Sequence, residues 1–257
     1  MDLSLTLGLL AIVSGSAVGL VLGLVGGGGS VLAVPLLLYV VGMPDTHMAI
    51  GTSAVAVAAS AFANLITHAR RGTVKWRIAA VFAACGMVGA WLGSSLGIQT
   101  HGPLLLRLFA GIMIAVGIFM WLPRKSDGDP SVRLHARMVP PLAGTGLGVG
   151  MVSGFFGIGG GFLIVPGLRF SSGMAMLNAV GSSLVGVTAF GLTTAANYTR
   201  AQLVDWPVAL LFVLGGFLGG LVGVRVAQHL ATIKGALSRA LSVIIILTAV
   251  VMLVQGR

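Results

Sequence analysis

Long apolar runs separated by short polar breaks make up almost the whole chain. A helix that crosses a bilayer needs about 20 mostly apolar residues. Runs of that length occur at 3–25, 48–67, 78–98, 104–122, 139–156, 176–197, 207–226 and 238–254. Two shorter runs, 30–41 and 162–169, cannot span comfortably as straight helices, and each follows a glycine cluster. The longest polar break, 123–137, divides the chain nearly in half. The pattern predicts an all-α polytopic transmembrane bundle of about 8 to 10 helical elements.

The two halves resemble each other. The run Gly19, Gly23, Gly26, Gly28, Gly29, Ser30, Leu32, Val34, Pro35 aligns with Gly150, Gly154, Gly157, Gly159, Gly160, Gly161, Leu163, Val165, Pro166 at a constant offset of 131. One position shorter, at offset 130, Gly51-Thr52-Ser53 aligns with Gly181-Ser182-Ser183. Arg70 then falls on Arg200, Trp76 on Trp206, and Gly86, Gly89 and Gly93 on Gly216, Gly219 and Gly223. Glycine matches come easily in a chain with 40 glycines, but Pro, Trp and Arg matches in the same register do not. We therefore expect a first membrane repeat at 1–123, a cytoplasmic linker at 124–138 and a second repeat at 139–257.

Charge orients these repeats. Hydrophobic residues make up 57% of the chain and charged residues 8%, against roughly 25% in soluble domains. Too few solvated groups remain to cover a water-facing surface. The mean hydropathy of +1.07 agrees. The net charge of +10 lies in short loops, without the basic helix or aromatic platform of a nucleic-acid binder, so no nucleic-acid partner is expected. Arg70, Arg71, Lys75 and Arg77 crowd one connection, and Arg124, Lys125, Arg133 and Arg137 the linker; both are expected in the cytoplasm. The second-half counterpart of the first loop holds only Arg200 and Asp205, whereas the next one holds Arg225, His229, Lys234 and Arg239. The bias has moved to opposite loops, which predicts two inverted-topology repeats with broken or re-entrant glycine-rich helices. The N-terminal apolar run lacks a positive leader and reads as a retained helix. Cys85 reads as a core thiol, Asp45 as a helix cap, and Trp76, Trp121 and Trp206 as belt residues at the membrane borders.

Candidate chemistry centres on the glycine clusters. Bare backbone cannot face lipid, but it can line a protein cavity. The pieces beginning at Ser30 and Phe162 would point helix N-termini, with their free N–H donors and partial positive charge, toward such a cavity. Gly28, Gly29, Ser30, Gly159, Gly160 and Gly161 are the candidate backbone donors, and Thr52, Ser53, Ser182 and Ser183 the candidate hydroxyls. The competing reading is that the glycines only permit close helix packing and the hydroxyls bond back to their own helices. Asn64, Asn178 and Asn197 are further candidate lining residues. Thr67, aligned with Asn197, and Tyr198, aligned with His68, mark the same helix end. His68 is a candidate proton relay. Arg225 is a candidate anion guide, and Arg70, Arg107 and Arg200 read as interfacial anchors. No predicted span holds an interior Asp or Glu, which argues against a carboxylate relay. Gly29→Val or Gly160→Val is expected to abolish transport with expression intact.

The duplicated glycine segments, each followed by Pro35 or Pro166, the Gly-Thr-Ser and Gly-Ser-Ser triplets, the Trp76/Trp206 pair and the polar linker resemble the sulfite exporter TauE/SafE family of membrane permeases over essentially the whole chain. The resemblance implies transport of a small sulfur-containing anion such as sulfite, thiosulfate or an organosulfonate. The first cluster has Ser30 where the second has Gly161, so the two half-sites need not be equivalent.

The sequence thus reads as a secondary carrier or facilitator of a small anion in a bacterial-type inner membrane, working by alternating access. Its expected partners are that anion and the lipid bilayer. No cofactor or metal site is expected, since no Cys/His cluster occurs. An anion channel and a non-transporting scaffold or sensor are the alternatives. An enzyme is not expected, for want of a nucleophile with a base. The subunit number is left open, a homodimer included.

Overall fold

The computed structural model describes residues 5–121, 128–157 and 161–230, together with 243, 246–248 and 250. Among them, helices follow one another with no strand: α1 (Leu5–Val25), a 3-10 segment (Gly26–Leu32), α2 (Ala33–Pro35) running into a π turn (Leu36–Val40), α3 (Thr46–Arg70), α4 (Trp76–Gln99), α5 (Gly102–Trp121), α6 (Val139–Phe156), α7 (Gly161–Ser172), α8 (Met176–Arg200) and α9 (Trp206–Leu230). Six of the helices are long and apolar enough to cross a membrane. The expected run at 238–254 lies largely outside the described residues.

Local sequence accounts for the boundaries. The Asp45 carboxylate accepts the Met48 N–H at 2.9 Å and caps α3 as expected. Prolines at its first turn start α6. Gly72 and Gly173, both with positive φ, follow α3 and α7. The second short piece runs three residues past its expected end at 169, because apolar patterning stops short of Ser171 and Ser172, which a helix carries readily.

Packing pairs elements that are distant in sequence. α1 packs most extensively on α9, and α4 on α6. Glycine makes both seams. A Cβ on Gly15, Gly19 or Gly23 would strike the α9 backbone at Phe212, Gly216 or Gly220. A Cβ on Gly146, Gly150 or Gly154 would strike the α4 backbone at Phe82, Gly86 or Ala90. Backbones approach this closely only where side chains are absent, which gives dispersion contacts that lipid cannot match. α3 and α8 form the centre, with 72% and 67% of their apolar windows buried against 33–50% for the other four spans. They cross antiparallel: Gly51 lies against Tyr198, Gly191 against Ala58, and Gly181 against Thr73 at the α3–α4 turn. Exposed Leu9, Val13, Leu210, Leu214 and Phe217 face outward from α1 and α9.

The same contacts sort the loops to two ends. At one end the Arg71 guanidinium donates to the Val224 carbonyl near the end of α9 (3.4 Å), and linker residue Asp129 pairs with the α7–α8 turn at Met174. Arg70, Arg71, Lys75, Arg77, Arg133, Arg137 and Arg225 gather there. At the other end Gly102 abuts Thr46, and the Asp205 N–H donates to Thr52 (2.9 Å). That end carries Asp45, Asp205, His101 and Arg200.

Candidate functional site

A left-handed glycine ends both α1 and α6. Gly26 has φ +69° and Gly157 φ +68°, a left-handed conformation that costs any residue with a Cβ roughly 1–2 kcal/mol. Each break is seated on the opposite central helix. Gly26 lies against Val180 and the Ser183 hydroxyl of α8, and Gly157 against Ile50 of α3. Beyond the first break the 3-10 segment folds back on α1, where a Cβ on Gly29 would meet the Val21 and Leu22 backbone. Gly29→Val is therefore a folding variant rather than the clean test of transport that the sequence suggested.

The two glycine segments meet in the interior. The Gly161 N–H, at the start of α7, donates to the Ser30 hydroxyl at 3.2 Å. Ser30 is fully buried, as are Thr52, Ser53, Ser182 and Ser183. Residues 30 and 161 are the positions where the two clusters align, so the unlike pair of the sequence is a bonded pair in space. Gly28 lies in the same 3-10 segment; Gly159 and Gly160 lie outside the described residues. Among the described residues no carboxylate is buried. The setting is neutral, so partial positive charge at the α7 start meets no buried anion among the described residues. Such a place can hold a small oxyanion by N–H and O–H donation.

The hydroxyls of the two triplets divide into matched roles. Ser53 donates to the Ile50 carbonyl and Ser183 to the Val180 carbonyl, each at 2.8 Å, so both bond back to their own helices beside the glycine breaks. Thr52 and Ser182 reach across the molecule. Thr52 accepts the Asp205 N–H at 2.9 Å and Ser182 accepts the Lys75 N–H at 2.8 Å, which ties down the turns that start α9 and α4.

The other candidates lie apart. Asn64 donates to the Ser60 carbonyl at 3.0 Å and abuts Gly220, about 16 Å along α3 from Ser53. The Asn197 amide nitrogen lies 2.7 Å from Ser94 Oγ, 3.0 Å from Ser95 Oγ and 3.2 Å from the Trp91 carbonyl, which joins α8 to α4. Asn178 donates to the Thr73 carbonyl at 2.9 Å. Arg225 and Arg107 are exposed. Arg200 stacks over Trp91, 5.1 Å from its centroid.

His68 is fully buried, with Nδ1 2.9 Å from Thr73 Oγ1 and Nε2 3.3 Å from the Gly23 carbonyl. Thr73 Oγ1 also lies 3.0 Å from the His68 carbonyl. A neutral imidazole has one N–H. If that N–H serves Gly23, the Thr73 hydroxyl must turn to Nδ1 and leave the His68 carbonyl; only an imidazolium donates to both. His68 thus couples the end of α1 to the α3–α4 turn.

Sequence reading passed over Thr73, which serves both His68 and Asn178, because its aligned partner is apolar Leu203. It also passed over Ser60 and Thr194, whose buried hydroxyls, like that of Tyr198, have no hydrogen-bond partner among the described residues.

Comparison with known proteins places this architecture. Residues 11–252 match the family model described as Sulfite exporter TauE/SafE. A "Probable membrane transporter protein" of Xylella fastidiosa (strain 9a5c) is 50% identical over 240 residues, covering 92% of this chain and 91% of that protein. The "Probable membrane transporter protein YdhB" of Bacillus subtilis is 25% identical over 213 residues, covering 80% and 85%. A "Probable membrane transporter protein" of Haemophilus influenzae is 28% identical over 184 residues, covering 68% and 67%. No solved structure matches. With glycine-broken helices inside a bundle of apolar spans and a family match over nearly its whole length, the chain belongs to the TauE/SafE sulfite exporter family and is a multi-pass membrane transporter.

Proposed function

We propose that this transporter moves a small sulfur oxyanion, of the sulfite, thiosulfate or organosulfonate class, across an inner membrane by alternating access. The observation that carries the reading is the buried bond between Ser30 and the Gly161 N–H, which joins the segments that follow the two glycine breaks in a neutral part of the interior. Neutral donors suit a carried anion, because they bind it without the deep electrostatic trap of a buried cation.

Two inverted repeats supply the moving parts in this reading. Supporting it, α3 and α8, which align in sequence, run in opposite directions, and α1 seats on α9 as α6 seats on α4. The arginine-rich end, with the α3–α4 turn and the linker, is the cytoplasmic one by the positive-inside rule. Each half lends a helix to the other, so a rocking motion would carry α1 with α9 and α6 with α4 as units.

The test is flux into proteoliposomes of sulfite, thiosulfate, sulfoacetate and taurine, with and without a pH gradient. Saturable flux of at least one anion is expected, reduced in Ser30→Ala. Absence of flux for all four, or equal flux in the variant, would remove the reading. Flux that never saturates would instead mark a channel.

A further inference from the structure

We propose that the cleft between the α3–α4 turn and the central linker is a binding site for a phosphate-type oxyanion, carried by an anionic lipid headgroup or free in the adjoining water. This site lies apart from the Ser30–Gly161 contact and does not rest on the transport reading.

The cleft has a volume of about 830 Å³, and Lys75, Trp76, Arg77, Ser131 and Arg133 are among the residues that line it. The linker is fixed over it. The Asp129 N–H donates to the Gly173 carbonyl (2.9 Å), the Ala175 N–H donates to the Asp129 carbonyl (3.2 Å), and Val132 is buried in the cleft wall. The charges do not cancel. The hydrogen bonds from the Ser131 N–H at 2.7 Å and hydroxyl at 2.6 Å keep Asp129 charged, but it is one carboxylate beside the three cations Lys75, Arg77 and Arg133. Among the described residues neither Arg77 nor Arg133 has a carboxylate partner. Arginine's planar fork suits a tetrahedral oxyanion, and the half-exposed Trp76 indole places the cleft at headgroup depth.

The matching turn at the other end acts as an internal control. It is held by the same kind of bond, from the Asp205 N–H to Thr52, as the first is by the Lys75 N–H to Ser182. There Asp205 stands for Lys75 and Pro207 for Arg77. The turn therefore forms without cations, and folding does not explain why three of them converge on one cleft at one end only. Anionic headgroups are enriched in the cytoplasmic leaflet, where each basic residue near the surface contributes about 1 kcal/mol to attraction.

Two arms separate the sources. In native mass spectrometry of the full-length protein, retention of phosphatidylglycerol is compared with phosphatidylcholine. In nanodiscs of phosphatidylcholine alone, inorganic phosphate is titrated while tryptophan emission is followed, with Trp76→Phe as the signal control. At least one probe should bind saturably. The Arg77→Gln/Arg133→Gln double variant should weaken that binding about tenfold or more. Arg77→Lys/Arg133→Lys should retain part of it, and Arg137→Gln, in the linker but outside the cleft, should bind as the wild type does. Failure of both probes to bind saturably, or equal binding by the double glutamine variant at an unchanged melting temperature, would overturn the proposal.

Discussion

Gly144 and Gly150 lie on one helix, six residues apart, and alanine at the two positions should change stability in opposite directions. A Cβ on Gly150 would overlap the carbonyl, C and Cα of Gly86, whereas around Gly144 there is nothing within 4 Å. At Gly144 only the helix term acts, and Gly→Ala in an unobstructed helix gains about 0.5–1 kcal/mol. At Gly150 the same gain is set against rigid backbone. To admit the methyl, α4 and α6 must separate by on the order of 1 Å, which forfeits a quarter to a half of each dispersion contact along the seam. Overpacking of this kind costs about 1–3 kcal/mol, and Gly146 and Gly154 share the strain because their own close contacts open with it. The net effect is a loss of about 1–2 kcal/mol. Gly19→Ala, on the matching α1–α9 seam, should behave as Gly150→Ala does. The assay is thermal unfolding of purified protein in mild detergent, followed by monodisperse recovery on size-exclusion chromatography. Equal shifts for Gly144→Ala and Gly150→Ala would show that backbone contact does not hold these seams.

Other substitutions test other links. Ser30→Ala leaves the Gly161 N–H without its acceptor, at a cost of about 1–3 kcal/mol, so flux of the transported anion should fall while expression persists. Thr52→Val and Ser182→Ala should destabilise by similar amounts, about 1 kcal/mol each, read as equal falls in melting temperature, since each hydroxyl accepts one N–H of the turn before a helix; unequal or absent effects would show that the turns hold without them. His68→Phe should orphan the Gly23 carbonyl, destabilising by about 1–3 kcal/mol and speeding amide exchange around the α1 break. In the linker, hydrogen bonds from the Ser131 hydroxyl and N–H hold the Asp129 carboxyl below the usual carboxylate range. A group depressed in the folded state contributes stability above its unfolded value and loses it as pH falls through the folded one. Proteolytic nicking of the linker should therefore rise at a pH below the ordinary carboxylate range, and Asp129→Asn should nick at a rate independent of pH there.

The spans were legible because their signals are local. Apolar length located α3, α4, α6, α8 and α9 to within a few residues, and Asp45 announced the cap that it makes. The glycine clusters marked both breaks, since a left-handed residue is cheap only for glycine. The hydroxyl triplets were legible as a matched pair but not in their use. Thr52 and Ser182 find partners about 105 to 155 residues away, which no spacing rule reaches. Many glycines outside the clusters lie at close helix contacts, and their composition does not set them apart from those at the breaks, since a helix interface and a bent site carry the same small-residue signature.

The sequence alone determined that this chain lives in a membrane, where its helices start and stop, and where its backbone must bend. Each of these follows from the cost of moving a residue or an unpaired peptide group between water and hydrocarbon, which is paid position by position. Only the tertiary structure decided that α1 seats on α9 and α6 on α4, that Ser30 meets Gly161, and that a basic cleft forms at one end. Those choices depend on shape fit between surfaces distant along the chain, and lipid, as apolar as the side chains themselves, leaves close packing and hydrogen bonding to make them.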